Sequence, residues 1–192
     1  MIFRFLENTD RNLFLWLNDK HVVWLDGVMF FISSNFFWLP VIVIAIWLII
    51  NKCGKKAWLP IFLLILTYIC TEQITNLVKH AVERYRPSHN IEIQHLVHTV
   101  NGYSGGMYGF FSAHAANSFG LATLSALFVK NRYYTIGVIV WALIVSYSRI
   151  YLGVHYPSDI LVGAALGTII SMLFYFLYVR INKALENKKL NK

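Results

Sequence analysis

Five largely uncharged stretches, residues 27–50, 57–78, 110–129, 133–148 and 160–179, constrain this chain more than any other feature. At about 1.5 Å of rise per residue, each as a helix approaches the ~30 Å hydrocarbon core of a bilayer. The fourth is the shortest and needs Arg132 and Arg149 at the two boundaries. Of the 192 residues 57% are hydrophobic and only 14% charged, against about 25% charged in soluble domains. A water-soluble chain of this length has no interior large enough to hide that apolar excess. A disordered chain, a coiled coil and an ordinary soluble domain are thereby excluded. The expectation is an all-α polytopic transmembrane bundle of five to six spans with an N-terminal interfacial helix. With no repeat, low-complexity tract or linker, residues 1–192 read as a single integral membrane domain.

The net charge of +8 invites a nucleic-acid reading, but its distribution argues for topology. Ten of the 17 basic residues fall in three segments: Lys52, Lys55 and Lys56; Lys130 and Arg132; Arg180, Lys183, Lys188, Lys189 and Lys192. Glu186 is the one acid among them. Alternate loops of a five-span chain share a side, and positive charge assigns that side to the cytoplasm. The N-terminal 26 residues balance Arg4, Arg11 and Lys20 against Glu7, Asp10, Asp19 and Asp26. Apolar Phe3, Leu6, Leu13, Phe14, Trp16 and Leu17 among those charges fit a helix lying in the membrane interface. A sixth, weakly apolar span is the alternative. Residues 1–11 lack the uninterrupted apolar core of a cleavable signal peptide. Cys53 in a cytoplasmic loop and Cys70 in mid-span are not expected to pair.

The longest hydrophilic segment, residues 79–109, and the short connection 149–159 both fall on the external side. A loop of about thirty residues in a compact protein usually has a task, such as covering a site. Next to it, Glu72, Asn76, Lys79 and Glu83 are spaced four, three and four, one stripe of a helix. An ionisable Glu72 inside a span must be paired or face a cavity. It serves either as a polar wall below a site or, the favoured alternative, as an interhelical hydrogen bond. Ser112 and His114 open the third span, where free amides and the helix dipole form an anion site. Read alone, they are equally a helix cap and a packing residue. At the end of the fourth span come Arg149 and His155, with Pro157 at the first position of the last helix and Asp159 in its first turn. Asp159 either compensates the helix dipole or accepts a hydrogen bond from His155, fixing its tautomer.

Three external segments thus contribute Lys79 and Arg86; Ser112 and His114; and Arg149, His155 and Asp159. Three cations with helix-start amides describe a pocket for a phosphate dianion. Two histidines add a nucleophile and a general acid.

These residues resemble the type 2 phosphatidic acid phosphatase superfamily, whose signature is K-x6-RP, PSGH and SR-x5-H. Lys79 to Arg86-Pro87 is a complete first motif, and Ser148-Arg149 to His155 a complete third, with Asp159 four residues on. The second departs, with Phe111 and Ala113 for Pro and Gly around Ser112 and His114. The resemblance implies that neutral His155 attacks phosphorus, that Asp159 holds its other ring nitrogen, and that His114 protonates the leaving group. Lys79, Arg86, Ser112 and Arg149 would bind the phosphate, with no metal and no organic cofactor. It also implies a lipid phosphate substrate among membrane lipids, with neither nucleic acid nor an obligate protein partner. An active site facing the periplasm of a bacterial inner membrane suits a cell-envelope lipid, undecaprenyl diphosphate or a lipid A phosphate. Phosphatidylglycerophosphate and phosphatidic acid are the alternatives.

Three other functions compete. A phospholipid transporter would use the cations but has no need of two histidines and an aspartate. A metal enzyme built on His89, His95 and His98 finds only Glu92 nearby and no cysteine. A vanadate haloperoxidase, the soluble branch of the superfamily, does not fit five spans.

Overall fold

The computed structural model describes residues 2–190, and every regular element among them is helical. Seven α-helices follow in order: α1 (Ile2–Asn18), α2 (Val23–Ile32), α3 (Asn35–Cys53), α4 (Trp58–Val82), α5 (Ala113–Val129), α6 (Arg132–Tyr151) and α7 (Pro157–Leu190). Four segments are long and apolar enough to cross a membrane: Asn35–Lys56, Trp58–Val82, Arg132–Tyr151 and Pro157–Ala184. The chain is a multi-pass membrane protein. Lys192, counted among the C-terminal bases, lies outside the described residues.

The helix α5 has 17 residues, about 25 Å of rise and near the lower limit for a span. It packs against α3, α4, α6 and α7, and its sequence explains why it can. Ala115, Ala116, Ser118, Gly120, Ala122 and Ser125 are all buried, and small side chains let neighbouring helix backbones come close. On α7, a Cβ added to Gly163 would lie 2.5 Å from the Ser112 carbonyl oxygen, and one at Gly167 2.0 Å from that of Ala116. Ser171 Oγ donates to the Gly120 carbonyl across the same seam, at 2.8 Å. From α4, Thr67, Thr71 and Thr75 turn inward at four-residue spacing and are buried.

The first apolar stretch is not one helix. It breaks at Ser33–Ser34 between α2 and α3, where the Ser33 hydroxyl meets Arg149 of α6 and its carbonyl meets His114 of α5. The third apolar stretch starts its helix at Ala113, with Ser112 as N-cap. Asn131 caps α6 by accepting from the Tyr133 and Tyr134 amides at 2.9 and 3.1 Å. Such caps contribute about 1 kcal/mol each.

One end of the bundle is closed by Ile49, Ala57, Leu124, Phe128 and Val129, with Tyr134, Tyr175 and Tyr178 against them. This end carries Lys52, Lys55, Lys56, Lys130 and Arg132. The opposite end holds α1, α2, the 83–112 segment and the α6–α7 junction. Alternate loops do fall together. The helix α1 leaves Phe5, Leu6, Leu13 and Trp16 exposed, as an interfacial helix would, yet it is also built into the bundle. Phe14 is fully buried against Ile93, Ile150 and Tyr156. Asn18 donates to the carbonyls of Ile150 and Tyr151 and accepts from the His98 amide.

Candidate active site

Five candidate side chains reach one pocket, from α4, the loop after it, α5, α6 and the α6–α7 junction. Lys79 sits in the last turn of α4, which ends where Glu83 turns left-handed (φ 50°) and returns its N–H to the Lys79 carbonyl. The chain then pairs with its own return: Arg86 N–H donates to Met107 O at 3.1 Å and Gly109 N–H to Arg84 O at 2.8 Å. This fixes Arg86, 8% exposed, with Nε donating to Tyr108 O. Gly105 (φ +66°) closes over the guanidinium, and a Cβ there would lie 2.8 Å from Arg86 Nη1. The glycine-rich turn is therefore shaped by Arg86, since only glycine combines that backbone angle with that approach.

Arg149 lies in the last turn of α6 and is 2% exposed. Its Nη1 donates to Ser33 Oγ and its Nη2 to the Tyr103 hydroxyl at 2.8 Å. Its Nε is buried with no partner among the described residues. His114, in the first turn of α5, places Nε2 3.2 Å from the Ser33 carbonyl oxygen. The α2–α3 break thus supports two pocket residues through one serine.

After α6, Gly153 (φ +74°) turns the chain and His155 follows, 2% exposed, two residues before α7 begins. Its Nδ1 lies 3.4 Å from Asp159 Oδ2, and its Nε2 3.4 Å from Arg86 Nη1. Arginine has no acceptor, so a neutral His155 beside it carries its proton on Nδ1, towards Asp159, and its lone pair on Nε2. Burial, then the charges of Arg86, Arg149 and Lys79, hold the imidazole well below its ordinary pKa. Arg86 itself is pushed down by burial and by Arg149. A dianion entering between these cations would relieve their mutual repulsion.

Lys79, Arg86, His114, Arg149 and His155 line a cavity of about 260 Å³ together with Glu72, Tyr103, Gly105 and Gly106. Asp159 stands behind His155, fully buried, as a residue acting on its far nitrogen should. Ser112 does not line the cavity. It is fully buried, and its Oγ accepts from the Ala115 amide at 3.4 Å, so in this structure it caps α5 rather than facing a ligand. Glu72 accepts from Asn117 Nδ2 at 2.8 Å, the interhelical bond expected of it. Among the described residues no three His, Cys, Asp or Glu side chains converge as metal ligands. His98 instead pairs with Asp26 and stacks on His21 at 3.7 Å.

Three contributors escaped the sequence. Ser33 was hidden inside an apolar stretch, and Tyr103 within a turn-rich segment. Arg84 donates to Asp159 Oδ1 at 2.7 Å and to Asp10 Oδ2 at 2.7 Å. Asp10 and Asp159 each lie more than seventy residues from Arg84 in the chain, so no local spacing signals either contact.

A second, apolar cavity of about 310 Å³ lies between α3 and α4 and shares Trp38, Tyr68 and Asn117 with the polar one. Ile42, Ile46, Ile61, Leu64, Ile65 and Leu121 complete its wall.

Comparison with known proteins agrees with this geometry. The chain is 35% identical over 186 residues to a lipid A 4'-phosphatase of Bacteroides thetaiotaomicron, covering 95% of this chain and 83% of the relative. It is 34% identical to a lipid A 4'-phosphatase of Porphyromonas gingivalis, covering 91% and 75%. Its fold matches the crystal structure of a transmembrane PAP2-type phosphatidylglycerolphosphate phosphatase from Bacillus subtilis, with TM-score 0.72 at 24% identity over 92% of this chain and 87% of that one. The model of the PAP2 superfamily matches residues 56–183. That segment holds all three pocket cations and both histidines, and the chain belongs to the PAP2 superfamily.

Proposed function

We propose that this protein removes a phosphate monoester from lipid A, at the outer face of a bacterial cytoplasmic membrane, through a phosphohistidine on His155. One observation carries this reading: a cationic pocket with two histidines adjoins an apolar cavity that opens between two membrane helices. A lipid phosphate needs both, the first for its head and the second for hydrocarbon. The identity to two relatives named lipid A 4'-phosphatases supports lipid A among envelope lipids.

Lys79, Arg86 and Arg149 hold the phosphate oxygens and offset their charge as it redistributes. His155 Nε2, carrying the lone pair, bonds to phosphorus while the bond from phosphorus to the lipid oxygen breaks. Asp159 accepts the Nδ1–H and stabilises the positive charge that develops on the ring. His114 Nε2–H donates to the Ser33 carbonyl, so the ring takes up a second proton, on Nδ1, as the phosphate dianion enters and favours the imidazolium, and gives that proton to the departing alkoxide. Water then attacks phosphorus, the phosphorus–nitrogen bond breaks, and the water's proton returns to His114. Orthophosphate leaves and both histidines are restored. Ser112 contributes by fixing the first turn of α5, and so the position of His114.

The test is phosphate release by purified protein from mixed micelles of lipid A, undecaprenyl diphosphate, phosphatidylglycerophosphate and phosphatidic acid. Lipid A should be hydrolysed fastest, and His155→Ala should lose at least about 10³-fold in turnover. Faster release from another lipid would overturn the substrate, and release from none would overturn the function.

A further inference from the structure

We propose that Arg84, clamped by Asp10 of α1, positions the Asp159–His155 pair, which makes the N-terminal helix part of the catalytic support. The proposal rests on the reading of His155 as nucleophile. Asp159 is fully buried, and both of its oxygens are engaged. Oδ2 takes the Tyr156 amide at 3.0 Å and faces His155 Nδ1 at 3.4 Å. Oδ1 is held by Arg84 Nη1 at 2.7 Å, and the same nitrogen donates to Ser158 Oγ at 2.8 Å.

The other end of the guanidinium is fixed from α1. Arg84 Nη2 donates to Asp10 Oδ2 at 2.7 Å, and Asp10 Oδ1 accepts the Ser158 amide at 2.9 Å in the first turn of α7. The guanidinium lies over the Tyr156 ring at 4.2 Å. That ring meets Phe14 of α1 edge-on at 5.5 Å. Burial works against the Arg84 charge, but Asp159 and Asp10 more than offset it, so the cation is held firmly. Asp10, Arg84, Asp159 and His155 therefore form one chain of contacts from the N-terminal helix to the reacting nitrogen.

Arg84 does not line the cavity that takes the phosphate. It lines a separate recess with Glu7, Arg11, Glu83 and Asn90. Its effect on chemistry must pass through Asp159. Without it, a buried carboxylate oxygen loses its ionic donor, and the carboxylate turns or takes a proton. Either change releases the aim of Asp159 on Nδ1. A lysine reaches one carboxylate at a time, whereas the guanidinium fork spans two.

The experiment uses the full chain in mixed micelles of whichever panel lipid the wild type hydrolyses fastest. Arg84→Gln and Asp10→Asn should each lower kcat, by about 10²-fold at most as expected of misplaced groups, with KM within about threefold of wild type. Arg84→Lys should recover part of the loss. The double variant should be no slower than Arg84→Gln alone, because the two residues act in series. Lys79→Gln, by contrast, should raise KM. If Arg84→Gln fails to fold, Asp10→Asn still reads the chain, since it leaves the Arg84–Asp159 pair in place. Wild-type kcat in both single variants, a loss confined to KM, or multiplicative losses in the double would overturn the proposal. His155→Ala separates the two levels: activity retained there removes the nucleophile, whereas an inactive His155→Ala beside normal Arg84 and Asp10 variants removes only the positioning chain.

Discussion

His155 is neutral because of where it sits, and that has a measurable consequence. Its charged neighbours are Arg86 from the loop, Arg149 from α6, Lys79 from α4 and Asp159 from α7, with the titratable His114 of α5 beside them. Burial and the cations outweigh the carboxylate, so the imidazole protonates well below the ordinary value, about 6.5 for a free histidine. The neutral form that the proposed attack requires therefore persists as pH falls through 6.5, and on that mechanism activity is lost in acid only when pH passes the depressed value. The acid limb of kcat/KM should lie well below 6.5. Removing a cation lets the ring protonate more readily, so Lys79→Gln should move that limb to higher pH. A wild-type limb at or above 6.5, or a limb that stays or falls in Lys79→Gln, contradicts this account. Most of these side chains were legible in the sequence, because Lys79 and Arg86, and Arg149, His155 and Asp159, keep fixed short spacings along the chain. Ser112 was legible as a helix start, but its side chain turns inward to cap. No sequence signal separates a serine that caps from one that faces a ligand.

At the scale of elements, α5 is the piece the site depends on, and α7 holds it. Gly163 and Gly167 were readable as small residues four apart, and the structure places α5 against them. A side chain at Gly167 would meet backbone, the Ala116 carbonyl and the Gly120 nitrogen, not a flexible tip. Gly167→Leu should therefore lower the melting temperature in detergent by several degrees, consistent with a few kcal/mol of overpacking. Unchanged melting would mean that the two helices do not approach this closely. The break between α2 and α3 was not readable, since Ser33-Ser34-Asn35 is too short an interruption to outweigh the apolar residues flanking it. Its reason lies in tertiary contacts: Ser33 Oγ meets Arg149, and its carbonyl meets His114. For the same reason α1 looked only interfacial, because the partners of Asp10, Phe14 and Asn18 are distant in the chain.

For the whole molecule, the bases gathered at one end and the pocket at the other are what the proposed orientation rests on. In a background with Cys53 and Cys70 replaced by serine, Ile91→Cys, 82% exposed on the pocket side, should react with an impermeant thiol reagent outside intact cells. Lys55→Cys should react only after lysis, and the reverse pattern would place the pocket in the cytoplasm. In the proposed orientation the polar cavity lies at the external surface with the apolar cavity beneath it, so that a lipid phosphate would meet His155 without leaving the bilayer. The proposed mechanism requires a bond from His155 to phosphorus. Rapid quenching of the enzyme with lipid radiolabelled in the scissile phosphate, followed by peptide mapping, reads that bond directly. The prediction is acid-labile, alkali-stable label on the peptide containing His155, formed before orthophosphate appears and absent in His155→Ala. Orthophosphate release at the wild-type rate with no label on that peptide, or label on His114 instead, would contradict it.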